Sequence, residues 1–413
     1  MNKDFYMKLL SLFSGIGAFE KALDREHIDY ELVNYCEIDK YASKAYAAVH
    51  GVSEDLNLKD VTKIDTSTLK DIDLITYGFP CQDLSQAGNQ KGFIDENGNI
   101  TRSGLFFEAL RIIKDLQPKW AICENVKALT SKKFEKEFKL VLDSLSAVGY
   151  NNYYQVLNAK DYGIPQNRER IFIISIRKDV DNGNFVFPDK IPLNIRLKDM
   201  LEDVVDEKFY LSDEQIKRIH TTSYLSGQRR IQDKEWRDTL CARDWKDPKC
   251  VRVKQVCNIY NGKHNSQAGR VFDAEGLSPT LDTCNGGNRM PKIVERMTKQ
   301  AYETLQENEC KAGDVINPFN KKVVNNGVCP TLTTRPEGFK TANLIVDDNT
   351  IDLRIRKLTP KECWRLMGFD DEDVIKAQSV GMSNSQMYKQ AGNSIVVNVL
   401  QAIFRNLFGV NND

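Results

Sequence analysis

Four side chains in this sequence have the types and settings that covalent chemistry needs. Cys81 stands in Gly78-Phe79-Pro80-Cys81-Gln82-Asp83-Leu84-Ser85, directly after Ile72 to Tyr77, an apolar stretch between turn formers that predicts a buried strand. Pro80 fixes its own φ and drives Phe79 toward extended backbone, while Gly78 permits a sharp turn, so the thiol is carried on a stiff segment. A thiol held that way suits a nucleophile; it also suits a packing cysteine, because free cysteine is among the most buried residue types. Glu124 closes a second apolar strand, Trp120-Ala121-Ile122-Cys123, where a carboxyl group either does acid–base work or caps the next helix. Arg168 and Arg170, in Gln166-Asn167-Arg168-Glu169-Arg170, alternate along extended chain and so leave on one face. Two guanidinium groups on one face fit phosphate or carbonyl oxygens, or a surface ion pair.

The elements that must position these residues are short apolar strands alternating with amphipathic helices, a pattern that predicts an α/β sheet with its chemistry at strand ends. Lys8 to Phe13 is a strand, and Ser14-Gly15-Ile16-Gly17-Ala18-Phe19-Glu20 turns it into a helix running to about Arg25. Gly15 and Gly17 resemble the start of a dinucleotide fingerprint, but Glu20 occupies the place of its third glycine. The next strand, Tyr30 to Cys36, ends at Glu37, 20 residues past Gly17, the spacing at which such a fold offers a carboxylate to ribose hydroxyls. Asp60, after a third βα step, is either an acceptor for an adenine amino group or one more surface acid. The polar, glycine-rich run from Gln86 to Thr101 is too long for an ordinary connection and is a candidate lid or an insertion. Helices over Leu105 to Leu116 and Phe134 to Val148, then strands over Tyr150 to Leu157 and Ile171 to Ile176, complete this lobe.

The totals are those of a globular chain of two or three domains: 413 residues, 41% hydrophobic and 28% charged. No apolar run is long enough to span a bilayer and no leader pattern is visible, so a cytoplasmic protein away from membranes is expected. The ten cysteines form no Cys-x-x-Cys pair and no zinc-spaced set, which predicts reduced thiols and no metal. Lys plus Arg equals Asp plus Glu at 58 each, yet residues 224–346 hold 20 Lys and Arg against 14 Asp and Glu, a local +6 that suits a polyanion. From about Pro188 the strand–helix alternation stops. Leu197, Met200, Leu201 and Val204 predict an amphipathic helix, and Leu211 to Ile216 starts another with a capping box. Three weakly repeated pieces follow, Asp238 to Arg243, Pro279 to Thr283 and Pro330 to Arg335. Each leads to an apolar strand, at Val251, Ile293-Val294 and Leu344-Ile345-Val346, giving either a loop-bearing groove reader or a plain β-rich domain. The tail returns to helices: Thr359-Pro360-Lys361-Glu362 to Gly368, one opened by Ser383, and an apolar one from Ile395 to Phe408 that must pack on something large, the sheet being the expected partner.

The glycine turn, Pro80-Cys81-Gln82, Glu124-Asn125-Val126, Gln166 to Arg170, the helix from Thr359 and Gln390-Ala391-Gly392-Asn393-Ser394 resemble, in identity and order, the motifs of DNA cytosine-5 methyltransferases of the bacterial or phage restriction-modification type. The resemblance covers roughly residues 8–177 and 330–404. It implies a Rossmann-like S-adenosylmethionine-dependent methyltransferase fold with a mostly parallel sheet plus a smaller β-rich target-recognition domain. The implied boundaries are 1–190 for catalysis and cofactor, 191–350 for target recognition, and 351–413 for a segment returning to the catalytic domain. By the same resemblance Cys81, Glu124, Arg168 and Arg170 are catalytic. S-adenosyl-L-methionine lies against Phe13, Gly15, Gly17, Glu37, Asp60, Pro80, Leu105, Asn393 and Ser394, and Gln82, Ser85, Thr331 and Leu332 meet double-stranded DNA. A monomer is implied, with a cognate restriction endonuclease, where there is one, acting separately. The alternatives within reach of the motifs are an RNA cytosine-5 methyltransferase and a catalytically silent DNA-binding relative.

Overall fold

The computed structural model describes residues 6–80, 93, 101–210 and 354–409, together with the strand segments 255–258, 270–273, 292–295, 315–317, 322–324 and 344–345. The chain divides into two compact units, one of Met1–Met200, Ser278–Asn285 and Pro360–Asp413, the other of Leu201–Leu277 and Gly286–Thr359.

The first unit is built on six strands: β1 (Met7–Leu12), β2 (Tyr30–Cys36), β3 (Leu74–Tyr77), β4 (Trp120–Val126), β5 (Tyr150–Asn158) and β6 (Glu169–Arg177). Their order across the sheet is β2-β1-β3-β4-β6-β5. The first four run parallel, while β6 is antiparallel to both β4 and β5. All four residues of β3 are buried, as a central parallel strand covered on both faces requires. After β1 the chain goes to one side for β2 and to the other for β3, so the fork between them opens at the C-terminal end of β1. Open α/β sheets take their ligands at such a fork. Because β6 runs backwards, its first residues reach the same edge, with Arg170 opposite Val126 and Phe172 opposite Glu124.

Helices α1 (Ala18–Arg25), α2 (Lys40–His50), α3 (Phe106–Leu116) and α4 (Glu135–Ala147) follow β1, β2, β3 and β4. The tail adds α5 (Pro360–Arg365), α6 (Asp371–Ser379), α7 (Asn384–Asn393) and α8 (Val397–Phe408). The apolar last helix packs on α1 through Phe404 and Phe19 and reaches the sheet at Trp120, which Phe408 meets edge-on at 5.3 Å. Gln401 and Arg405 also converge on the buried carboxylate of Glu26 at the end of α1.

Two expectations need correction. The helix over Leu197 to Val204 is a single 3-10 turn, Leu197–Met200. Leu197 is its one buried anchor, Val204 is 74% exposed, and the Met200 carbonyl accepts from Arg365 rather than from a further helical turn. Asp60 does not follow a third strand: it lies between α2 and β3, where three successive 3-10 turns replace a βα step. Helix α6 was not foreseen; Asp370 and Asp373 form its capping box, and both pair with Lys21 of α1.

Among its described residues the second unit shows two small sheets. One is β11 (Lys322–Val324), β10 (Val315–Asn317) and β12 (Leu344–Ile345); the other is β13 (Arg354–Lys357), β9 (Lys292–Glu295), β8 (Arg270–Asp273) and β7 (Gln255–Asn258). Ile293-Val294 and Leu344-Ile345 are strand residues here, whereas the helix expected from Leu211, the strand expected at Val251, and Thr331 and Leu332 lie outside the described residues.

Candidate active site

The acid and the arginines meet at the end of β4. Arg170 Nε lies 2.9 Å from Glu124 Oε1, with the two side chains 17% and 12% exposed. Burial pushes the Glu124 carboxyl above the usual carboxylate range, and the positive charges of Arg170 and Arg168 oppose the rise without cancelling it. The carboxyl also rests on the turn leaving β3: a Cβ built on Gly78 would sit 3.6 Å from Glu124 Oε2. Asn125, 2% exposed, donates from Nδ2 to the Phe79 carbonyl at 3.1 Å, so the end of β4 grips the backbone that leads through Pro80 into Cys81. Cys81 itself, with Gln82 and Ser85, lies outside the described residues.

Arg168 is 3% exposed and binds inward, its Nη2 donating to the carbonyls of Gly392 (3.0 Å) and Ser394 (2.6 Å). The described bonds of this arginine therefore hold the turn between α7 and α8. It shares the lining of a small cavity with Arg170, while its described bonds go to Gly392 and Ser394 and Arg170 pairs with Glu124. Gln166, fully buried, adds a second tie by donating to the Leu366 carbonyl at 2.8 Å.

The glycine turn stands at the fork. Phe13 has φ +54°, a left-handed conformation that costs a bulky L-residue roughly 1–2 kcal/mol and accumulates at ligand sites. The turn is stapled to the end of β2: Ser14 N–H donates to the Cys36 carbonyl (3.1 Å) and Gly15 N–H to Glu37 Oε2 (2.9 Å). Glu37 Oε1 accepts from Asp39 N–H at 2.8 Å. Burial raises the Glu37 carboxyl too, and these two backbone bonds pull the other way.

The two glycines serve different ends. Gly15 (φ +59°) has nothing within 4 Å of its Cβ position, so its side is open for a ligand. At Gly17 (φ +78°) a Cβ would lie 2.0 Å from Nε2 of His50, so the protein itself fills that space. His50 Nε2 is 3.1 Å from the Ile16 carbonyl, and its ring leans on Tyr46 at 4.8 Å.

Of the other residues expected at the cofactor, Leu105 and Phe13 are half-buried against the same apolar cluster. Asp60 uses its carboxylate on its own 3-10 turn, accepting from Thr62 Oγ1 (2.7 Å) and N–H (3.1 Å), which holds it below the usual range. Ser394 is buried, while Asn393 is exposed at the end of α7. That helix is tied to the loop after Glu37 by Lys389, which pairs with Asp39, and by Gln390 Nε2, which donates to the Tyr41 carbonyl at 3.1 Å. Three features escaped the sequence reading. Ile38, beside Glu37, is a large apolar side chain left 78% exposed. Phe93, within the expected lid, is 3% exposed among Phe79, Phe106 and Phe107; a lone aromatic in a polar run was the available signal. Asn125 is the third: a buried asparagine beside an acid needs a partner, and the Phe79 carbonyl is that partner.

Among the described residues no group of three or more His, Cys, Asp or Glu could hold a metal ion, and no helix is long and apolar enough to cross a membrane.

A sheet forked at its first strand, a glycine turn with one open side, a carboxylate one strand over and an acid–guanidinium pair at the next edge define a Rossmann-like methyltransferase. The chain belongs to the C-5 cytosine-specific DNA methylase family, whose pattern matches residues 7–409, and is thus an S-adenosylmethionine-dependent DNA (cytosine-5) methyltransferase. It is 37% identical to the orphan methyltransferase M.SPRI of Bacillus phage SPR, with 97% of each chain covered. It is 31% identical to the type II methyltransferase M.HhaI of Haemophilus parahaemolyticus, over 97% of this chain and 94% of that one. Its fold matches the structure of the Entamoeba histolytica methyltransferase EhMeth with a TM-score of 0.61 at 14% identity, covering 99% of each. Open space over Gly15, the half-buried ring of Phe13 and the Glu37 carboxylate suit a nucleoside with free hydroxyls.

Proposed function

We propose that this enzyme methylates cytosine in a specific sequence of double-stranded DNA, using Cys81 as nucleophile and Glu124 as acid. The observation that carries the reading is the Glu124–Arg170 pair, packed on the Gly78-Phe79 backbone that delivers Cys81. Cytosine C5 is too weakly nucleophilic to be methylated directly. The Cys81 thiolate forms a bond to C6, and the displaced electron pair is received toward N3, where Glu124 donates its proton. A carboxyl whose pKa burial has raised keeps that proton nearer to neutrality, and Arg170 holds the cytosine carbonyl oxygen. S-adenosylmethionine, when bound, supplies the methyl group as an electrophilic carbon. C5 bonds to that carbon as the C–S bond breaks and a neutral thioether leaves. Return of the N3 proton to Glu124, loss of the C5 proton to solvent and expulsion of the thiolate from C6 then free 5-methylcytosine and Cys81.

A base inside a duplex cannot reach this site, so the target is flipped out; of the candidate lid from Gln86 to Thr101, only Phe93 and Thr101 are among the described residues. Glu37 receives the ribose hydroxyls, Ile38 and Phe13 flank the base of the cofactor, and Asp60, Pro80, Leu105, Asn393 and Ser394 complete the pocket. Arg168 acts by holding Gly392 to Ser394. The basic stretch 224–346, with Thr331 and Leu332, reads the DNA. The role is that of an orphan or phage methylase, or the modification half of a restriction-modification system, in the cytoplasm.

The test is single-base detection of 5-methylcytosine in the DNA of cells expressing this chain, beside cells expressing Cys81→Ser. A short motif methylated only with the intact protein is the expected result. Methylated cytosine in RNA alone, or methylation retained by the serine variant, would overturn it.

A further inference from the structure

Glu37 is gripped from behind by a residue that no role above includes. Its backbone N–H donates to Asn57 Oδ1 at 2.9 Å, and its carbonyl accepts from Asn57 Nδ2 at 2.9 Å. One side-chain amide thus satisfies both main-chain groups of one residue, as a neighbouring strand would. The sheet offers no such neighbour there, because β2 is its edge strand and ends at Cys36.

Asn57 is itself over-determined. Oδ1 also accepts from Lys59 N–H (2.8 Å), and Nδ2 also donates to Ser43 Oγ (2.9 Å), so the amide makes all four of its hydrogen bonds. That set fixes its orientation, since a flipped amide would turn its NH2 group toward two N–H donors. The backbone is pinned as well: Asn57 forms a bridge with Tyr35, and Leu58 N–H donates to the Tyr35 carbonyl at 2.8 Å. Ser43, on α2, is 3.0 Å from the Tyr35 hydroxyl, which closes the network on the strand it started from. Aspartate lacks the donors for this geometry, and serine cannot span both groups.

We propose that Asn57 is a positioning residue for cofactor recognition: by clamping the main chain of Glu37 it sets the carboxylate, steadied in front by the N–H groups of Gly15 and Asp39, toward the ribose hydroxyls of S-adenosylmethionine. The inference rests on the ribose reading of Glu37 and assigns the residue that makes that reading work. A carboxylate that accepts from two hydroxyls gains from a fixed direction, because ordering it on binding would cost affinity.

The experiment is calorimetric titration of S-adenosylmethionine into the full-length protein, with steady-state kinetics alongside. Asn57→Ala is expected to weaken binding about tenfold, the scale of one or two net hydrogen bonds, and to raise KM for the cofactor while kcat at saturation and DNA affinity stay put. Asn57→Asp, which keeps the shape and loses the donors, should weaken binding as well and guards against a loss that is mere unfolding. In a Glu37→Ala background Asn57→Ala should cost at most about twofold more, because the residue acts through Glu37. The same tenfold loss in both backgrounds, or wild-type binding by both Asn57 variants, overturns the inference. Cofactor affinity unchanged by Glu37→Ala overturns the ribose reading and the inference with it; a weakened Glu37→Ala beside normal Asn57 variants overturns the inference alone.

Discussion

Glu37 and Glu124 are the same residue type in the same kind of place, the C-terminal end of a parallel strand, yet they are held in opposite ways. Burial is the largest influence on both and pushes both carboxyls up. At Glu37 the opposing groups are chiefly main-chain N–H donors, whose direction is set by the turn that carries them. At Glu124 they are guanidinium groups at the tips of side chains, which can be shared with a substrate. Fixed amides suit recognition of hydroxyls that do not change during the reaction, whereas an acid beside a cation in a dry pocket suits a proton that must move. Two carboxyls of one type thereby have different surroundings, and the roles proposed for them differ accordingly.

The strongest way to break this contrast is to remove the proton at the second site. Glu124→Gln should lower kcat by roughly 10²–10⁴, the usual worth of a placed acid, with cofactor affinity unchanged in titration. The sign of the pH effect follows from the raised carboxyl. Its acid form is complete at low pH and is lost as pH rises through the displaced pKa, so the rate should fall on an alkaline limb above the ordinary carboxylate range. That limb should vanish in Glu124→Gln, and its survival there would assign it to another group. The same displacement adds stability in acid that is lost as pH rises, a trend that thermal unfolding of Glu124→Gln against wild type reads directly.

Arg168 joins the two halves and should damage both. Arg168→Ala leaves the Gly392 and Ser394 carbonyls without this donor, at about 1–3 kcal/mol for each buried group left unsatisfied. The variant should unfold several degrees earlier, bind cofactor more weakly and turn over more slowly. Arg168→Lys, with one compact ammonium in place of a fork, should recover only part. Normal melting and normal cofactor affinity in Arg168→Ala would show that the turn between α7 and α8 holds itself.

The smallest effect sharpens the recognition half. Gly17→Ala places a methyl group 2.0 Å from His50 Nε2, so cofactor binding should drop, and it should drop about tenfold less when His50 is already alanine. The left-handed φ of +78° leaves a residual cost of about 1–2 kcal/mol in either background. Equal losses in both backgrounds would mean that His50 is not what requires the bare Cα, leaving the ligand or Tyr46, whose Cε2 lies 2.9 Å from the same Cβ position.

Much of the architecture was legible because it rests on local rules. Strands β1 to β4, the glycine turn, the helices opened by Thr359 and Ser383 and the last apolar helix follow from hydrophobic period, capping residues and glycine placement, all of which act within a few residues. Where the period had no core to face, as over Leu197 to Val204, the same rule overreached. The six ordered motifs identified the chemistry because residue type and order are one-dimensional properties. The sequence alone therefore determined the fold class and the family, and it named the acid and the arginines of the candidate site.

Only the tertiary structure decided what those residues touch. The reversed strand β6 brings Arg170 to Glu124 across 46 residues of chain, and nothing local marks it as antiparallel. Arg168 turns inward to residues more than 220 positions away, Gly17 is reserved by His50 of the next helix, and Asn57 supplies Glu37 with the neighbour that an edge strand lacks. Each of these is a contact between segments whose separation in sequence carries no signal, and only the packing of one sheet against its helices brings the partners within hydrogen-bonding distance.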